Sequence, residues 1–171
     1  MKKYILLFLL ISFAFNSNAQ KVNWVSFEQA IEINKTDPKP FIIDIYTDWC
    51  GWCKKMDKTT YSNKVIIDYI NTHFHAVKMD GEGKDDISFK GNTFKFKKQG
   101  RNGYHELTAT LMNGKLSYPS TIFFNKKEEL LQNVPGYLSK EKLEKILVFF
   151  NDKVYETSNW KDFEKSFKSN L

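Results

Sequence analysis

The sequence predicts an α/β fold in which a central mixed sheet is flanked by helices. Three observations lead to this prediction. Compact apolar runs of strand length alternate with segments of helical periodicity. The run at 41–46 is apolar at both odd and even positions, which is typical of a strand covered on both faces. The only two cysteines in the sequence, Cys50 and Cys53, come directly after that strand and before a helical segment.

Capping and breaking residues set the elements before the cysteines. Ser26 is followed three residues later by Gln29, a capping-box pattern that predicts the start of a helix. The segment 37–40 contains two prolines and ends that helix. The buried strand at 41–46 follows at once.

The elements after the cysteines continue the alternation. They are predicted as a helix from the cysteine pair to about 61, helical turns at 65–70, a strand at 74–80, strands at 122–124 and 130–134, and a helix at 139–150. The order of strand, cysteine pair, helix and strand places Cys50 at the tip of a buried strand.

Residues 1–19 are typical of a secretory signal peptide. Lys2 and Lys3 precede an apolar run at 4–15, and small residues lead up to Ala19. The run is shorter than the roughly 20 residues that a membrane-spanning helix needs. We therefore expect cleavage after Ala19 and export across the inner membrane, to the periplasm or the outside of the cell.

The charge of the chain is mildly basic. Its formal net charge is +6, from 26 lysines and arginines against 20 acidic residues. The lysines are scattered rather than grouped in a patch or stripe, which is typical of a solvated surface. We therefore expect no nucleic-acid partner.

The close spacing of the cysteines allows three interpretations. A structural bridge between Cys50 and Cys53 would close a very short loop and restrict the unfolded chain little. A zinc site needs about four ligands, and the three histidines of the sequence do not lie at finger-like spacing. A reactive dithiol is the best interpretation, because a helix N-terminus stabilises a thiolate and lowers its pKa.

The motif Trp49–Lys54, WCGWCK, resembles the active site of the thioredoxin superfamily, in particular the exported bacterial proteins with a CGWC pair. Asp44, six residues before Cys50, matches the buried aspartate of thioredoxins, and Lys78 resembles the lysine that lies near it. Pro119, before the strand at 122–124, resembles their cis-proline. Tyr118 stands where the family usually has threonine.

The resemblance covers about 22–80 and 116–150, and it implies a thioredoxin-like domain at 20–151. Residues 81–115 are then an insertion before the cis-proline strand, and 152–171 are a C-terminal helical extension. In the insertion we expect a hairpin turning at Gly91–Asn92. Four apolar residues would share one of its faces: Ile87, Phe89, Phe94 and Phe96.

That hairpin either packs on the body of the domain or forms a lid or partner surface beside the cysteines. A helix is predicted at 104–112, and within it His105 is either a catalytic or a structural residue. In the C-terminal extension an amphipathic helix is predicted at 157–171, docked on the domain.

The resemblance implies a thiol–disulfide oxidoreductase that works without a dissociable cofactor. Cys50 would attack a substrate disulfide, Cys53 would resolve the mixed disulfide, and Asp44 would act as the base. Residues expected to contact the substrate are Trp49, Gly51, Trp52, Tyr118 and Pro119. The expected partners are disulfide-containing envelope or secreted proteins, and a membrane thiol relay that donates electrons.

Two questions stay open at this stage. No histidine lies between the cysteines, and this favours the reductase direction. The alternative to a redox enzyme is a thioredoxin-fold carrier that holds copper(I) or zinc between Cys50 and Cys53, since soft thiolates suit copper(I).

Overall fold

The computed structural model describes residues 20–171, and the predicted signal peptide lies outside the described residues. The helices are α1 (Phe27–Asn34), α2 (Gly51–Thr59), α3 (Lys64–His73), α4 (Glu106–Leu111), α5 (Lys140–Asn151) and α6 (Trp160–Ser166). The strands are β1 (Phe41–Tyr46), β2 (His75–Asp80), β3 (Ile87–Phe89), β4 (Asn92–Phe94), β5 (Phe96–Gln99), β6 (Asn102–His105), β7 (Ser120–Phe124) and β8 (Leu130–Pro135). Within 20–171, no helix is long and apolar enough to cross a membrane.

A mixed four-stranded sheet forms the centre of the domain, in the order β2-β1-β7-β8. β1 runs parallel to β2 and antiparallel to β7, and β7 is antiparallel to β8. Ile42 points into a core shared with α3 and α5. Ile43 and Ile45 point into a second core shared with α1 and α4. Helices therefore cover both faces of the sheet, which confirms the predicted fold class.

Local sequence patterns predicted several helix ends accurately. Ser26 caps α1 with the predicted capping box, in which its side chain and that of Gln29 each accept a backbone N–H. The predictions run slightly too long elsewhere. α2 ends at Thr59 rather than at 61, and Phe74 is the C-cap of α3 rather than the first residue of β2.

The insertion contains two hairpins, so the prediction of one hairpin followed by a helix at 104–112 is partly wrong. β3 pairs with β4 around the two-residue turn Lys90-Gly91, both with positive φ, one residue earlier than predicted. Phe96 belongs to the second hairpin, where it pairs with His105. Tyr104 and His105, the first two residues of the predicted helix, instead pair across the hairpin in β6, and α4 begins at Glu106.

The first hairpin packs on the body of the domain. The ring of Phe89 lies 5.0 Å from that of Phe27 and 6.0 Å from that of Phe124, between centroids. Ile87 and Phe94 pack against the same core. Of the alternatives for this hairpin, the structure therefore shows the one in which it packs on the body of the domain.

The C-terminal extension docks on α5 through an aromatic cluster, and its helix is shorter than predicted. Phe149 lies 5.3 Å, between ring centroids, from both Trp160 and Phe163. The buried Glu144 carboxylate accepts hydrogen bonds from the Ser169 hydroxyl at 2.6 Å and the Asn170 N–H at 2.7 Å. These contacts hold the end of the chain against the domain.

We predict that Phe149→Ala lowers the free energy of unfolding by about 3 kcal/mol, because truncating a buried phenylalanine leaves a cavity. The matched control is Ile33→Ala, an apolar truncation at a side chain that is 41% exposed, which should cost less than about 0.5 kcal/mol. Denaturant unfolding measures both. Equal effects of the two substitutions would contradict the docking of the extension.

Candidate active site

The two cysteines lie at the junction between β1 and α2. Cys50 is the N-cap of α2. Its Sγ accepts a hydrogen bond from the backbone N–H of Cys53 at 3.1 Å. The backbone N–H of Cys50 donates to the Thr47 carbonyl, also at 3.1 Å. The two sulfurs form a disulfide, with the Cα atoms 5.3 Å apart. The structure thus places a disulfide at a helix N-terminus, where the sequence predicts a reactive pair.

The disulfide is recessed between exposed side chains. Cys50 is 4% exposed and Cys53 3%, so both residues are almost fully buried. Trp49 and Trp52 are 65% and 56% exposed and project beside the pair. Gly51 borders open space, because a Cβ there would meet no atom within 4 Å. The surface next to the sulfurs is therefore open at Gly51.

Two aromatic pairs flank the cysteines. The ring of Trp49 lies edge-on to Tyr118, with centroids 5.8 Å apart. The ring of Trp52 lies 5.5 Å from that of Tyr137, and the Lys55 ammonium sits 4.6 Å from the Trp52 centroid. Sequence reasoning missed Tyr137. The only signal that could have found it is its position directly after a bend in the chain at Gly136.

The segment before β7 carries the cis peptide bond Tyr118-Pro119. Pro119 is buried, and its carbonyl accepts a hydrogen bond from the Gly136 N–H at 2.8 Å. The contact between Trp49 and Tyr118 brings the residue before Cys50 against the residue before Pro119. The two segments singled out in the sequence therefore meet in the structure.

Asp44 lies inside β1 and is 1% exposed. Its Oδ2 accepts from the Lys78 ammonium at 2.5 Å, and the register of the parallel strands sets the two residues side by side. The same ammonium bridges to the Asp57 carboxylate on α2, also at 2.5 Å. One lysine thus joins a buried carboxylate to a partly exposed one.

Burial raises the pKa of Asp44, and the charge and hydrogen bond of Lys78 offset only part of that effect. Burial alone would lower the pKa of Lys78, but the charges and hydrogen bonds of Asp44 and Asp57 outweigh it and raise that pKa. The lysine therefore stays charged, and the aspartate is the group that can take up a proton nearer to neutral pH.

Sequence reasoning also missed the surroundings of Asp44. Tyr61 is buried, and burial, followed by the Asp44 charge, raises its pKa well above its usual value. Thr121 is the antiparallel partner of Asp44 on β7. Asp44 Oδ1, the Tyr61 hydroxyl and the Thr121 hydroxyl are all buried polar atoms. Asp44 therefore lies in a polar part of an otherwise apolar core.

His105 has a structural role. It is buried, it caps α4, and its Nδ1 accepts from the Leu107 N–H at 3.2 Å. Its Nε2 lies 3.0 Å from the Asp85 carbonyl oxygen, which requires the proton on Nε2. Both ring nitrogens are thus engaged with backbone groups, and the catalytic alternative for this histidine is not supported.

The alternative function as a metal carrier gains no support from side chains near the two cysteines in the described part of the chain. Across 20–171, no group of three or more histidine, cysteine, aspartate or glutamate side chains is arranged to hold a metal ion. Among the described residues, a metal bound to Cys50 and Cys53 would therefore find no histidine, aspartate or glutamate as a third ligand.

A mixed sheet with a disulfide at the N-terminus of α2, and a cis-proline before β7, defines a thioredoxin-fold protein. Residues 11–167 match the protein family described as Thioredox_DsbH, "Protein of unknown function, DUF255". The match spans most of the chain, and the chain belongs to this family.

Individual relatives agree with this assignment. The chain is 32% identical over 63 residues to the disulfide bond reductase DsbH of Chlamydia pneumoniae, covering 36% of this chain and 38% of that protein. It is 28% identical over 69 residues to the thiol:disulfide interchange protein DsbD of Pseudoalteromonas atlantica, covering 40% of this chain and 12% of that protein. The chain thus spans well under half the length of both proteins.

A solved structure confirms the fold. The solution structure of a putative disulphide-isomerase from Bacteroides thetaiotaomicron superposes with a TM-score of 0.55 at 23% identity. The superposition covers 84% of this chain and 100% of that chain.

We predict that Asp44→Asn stabilises the protein increasingly as the pH rises. Because the folded pKa of Asp44 is raised above the unfolded value of about 3.9, its contribution to stability is complete below that pH and is lost as the pH rises through the folded pKa. Asparagine cannot ionise and escapes this loss. Each unit by which the pKa is raised makes about 1.4 kcal/mol of difference.

The measurement is the free energy of unfolding of the oxidised protein between pH 4 and 8. Asp68→Asn is the matched control, since Asp68 is a carboxylate that is 42% exposed and paired with Lys64. Curves for Asp44→Asn and the wild-type protein that stay parallel across this range would contradict a raised pKa at Asp44.

Proposed function

We propose that this protein reduces disulfide bonds in exported proteins, using Cys50 as the attacking and Cys53 as the resolving sulfur. The observation that carries the proposal is the hydrogen bond from the Cys53 N–H to Cys50 Sγ at the start of α2. The helix N-terminus favours negative charge, so the same donor stabilises a thiolate on Cys50 once the pair is reduced. The thiolate is the form that attacks disulfides.

The reaction is two successive exchanges. The Cys50 thiolate attacks one sulfur of the substrate disulfide, forms a mixed disulfide and releases the first substrate thiolate. The Cys53 thiolate then attacks Cys50 Sγ, forms the intramolecular disulfide and releases the second substrate thiolate. Two electrons pass from the protein dithiol to the substrate. A donor dithiol must reduce Cys50–Cys53 for the next turnover.

Asp44 is the proposed base for Cys53. A buried thiol resists ionisation, because its charged form is disfavoured by burial. A carboxylate whose pKa is raised is a better proton acceptor near neutral pH than an exposed one. The Lys78–Asp57 pair links Asp44 to the surface of α2, where a proton can be exchanged with water.

The reductase direction is supported by the residues between the cysteines. A histidine between the cysteines would add a positive charge to that of the helix N-terminus and stabilise the Cys50 thiolate further. Gly51 and Trp52 add no such charge, so the reduced form of the pair is not additionally stabilised. The family relative from Chlamydia pneumoniae bears the name of a disulfide bond reductase.

The location and partners follow from the same proposal. The signal-like residues 1–19 direct the protein across the inner membrane, to the periplasm or beyond. Its substrates there are disulfide-containing envelope or secreted proteins, and a membrane-embedded thiol relay supplies the electrons. Trp49, Trp52 and Tyr118, together with Gly51 and Pro119, form the surface that binds the substrate.

We predict that Cys50→Ser lowers the reduction of insulin disulfides by about a thousandfold or more, because the attacking group is lost. Cys53→Ser should instead accumulate mixed disulfides with substrate proteins, since attack continues and resolution does not. Non-reducing gels measure the trapped species, and Cys50→Ser/Cys53→Ser is the control that should trap nothing. Trapping by Cys50→Ser alone would mean that the two sulfurs have the opposite roles.

We predict that the exported protein begins at Gln20. N-terminal sequencing of protein recovered from the producing cell's envelope or medium measures this. As a control, Leu7→Arg puts a charge inside the apolar run and should leave an uncleaved chain inside the cell. Recovery of wild-type chains that retain Met1 outside the cytoplasm would count against cleavage after Ala19.

A further inference from the structure

The first residues of the insertion are fixed to the centre of the domain. Gly81 directly follows β2, and its N–H donates to the Tyr46 carbonyl at 2.7 Å. Its own carbonyl accepts from the N–H of His105 at 2.8 Å and from the Thr108 hydroxyl at 3.3 Å. The insertion therefore starts from a rigid point at the end of β1, next to the active-site segment.

Tyr118 packs directly on this point. A Cβ at Gly81 would lie 2.4 Å from the Tyr118 ring, so only glycine leaves room for the ring where it lies. The Tyr118 hydroxyl is buried. The Tyr118 ring is thus held against Gly81, the first residue of the insertion.

The next residue holds the tryptophan that precedes Cys50. Oε1 of Glu82 accepts a hydrogen bond from Nε1–H of Trp49 at 3.1 Å. The N–H of Glu82 donates to Oδ1 of Asp80 at 2.9 Å, which fixes the backbone from which the carboxylate projects. Trp49 is 65% exposed and meets Tyr118 only edge-on, so the hydrogen bond to Glu82 selects one orientation of the indole.

We propose that Glu82 is a positioning residue for substrate docking, acting through Trp49. A large exposed side chain that is free to rotate loses conformational entropy when a partner binds, and a side chain already held in place loses less. Glu82 therefore gives the substrate a preformed aromatic wall, Trp49 against Tyr118, beside the disulfide. This inference rests on the proposed function, and it gives the insertion a part in that function.

The test compares Glu82→Ala with Glu82→Gln in the reduction of insulin, with dithiothreitol regenerating the dithiol. Glu82→Ala removes the acceptor and frees the indole, and the added entropy cost of ordering it on binding should raise KM about threefold or more with kcat unchanged. Glu82→Gln keeps an oxygen acceptor for the indole and should restore the wild-type KM. Asp86→Ala is the control, because it removes a carboxylate from the same insertion that pairs with Lys95 instead.

A second readout does not depend on turnover. The sequence has 4 tryptophans, so 5-fluorotryptophan labelling gives a small set of fluorine resonances, and Trp49→Phe identifies the one from Trp49. We expect Glu82→Ala to shift the Trp49 resonance, and Glu82→Gln and Asp86→Ala to leave it close to its wild-type position.

The outcomes separate the positioning role from the proposed function. An unmoved Trp49 resonance in Glu82→Ala, or an unchanged KM, overturns the positioning role. Equal defects in Glu82→Ala and Glu82→Gln overturn it as well, because the hydrogen bond would then not be the cause. If the wild-type protein reduces no disulfide, the proposed function fails and the docking role falls with it, while the resonance still reports how Trp49 is held.

Discussion

The burial of β1 on both faces is the constraint on which the rest of the structure depends. Phe41 to Ile45 are all buried, and their side chains enter two separate cores. Helices must therefore cover both sides of the sheet, and the chain can reach the surface only where the strand ends. The cysteine pair stands at that exit, where the first turn of α2 provides N–H groups for the sulfur. The site is a consequence of how the core closes.

The same constraint makes Asp44 chemically unusual. A carboxylate inside such a strand is costly unless a charge or hydrogen bonds compensate for its desolvation. The parallel register with β2 brings Lys78 beside it, 34 residues further along the chain. The compensation is incomplete, and the raised pKa of Asp44 is the result. Sheet register therefore both permits the buried acid and sets its protonation behaviour.

Local signals predicted the fold and the centre of the site, whereas contacts between distant residues could not be read from the sequence. The apolar run of β1, the box at Ser26 and the position of the cysteine pair are each encoded within a few residues. The pairing of Phe96 with His105 overrode a pattern that also suits a helix. In the first hairpin, a lysine took the positive-φ position that the pattern assigns to glycine or asparagine.

The residues missed beside the cysteines, Glu82 and Tyr137, both contact a tryptophan ring from a separate segment of the chain. Two tryptophans beside one disulfide expose apolar surface that a monomer seldom leaves uncovered without a use for it. Trp49 is held by Glu82 and Tyr118, and Trp52 by Tyr137. The cysteines lie in one short motif, but the aromatic side chains around them are held by the insertion, the segment before β7 and the loop after β8. A change in any of these three segments can therefore reshape the surface around the disulfide while the disulfide itself stays in place.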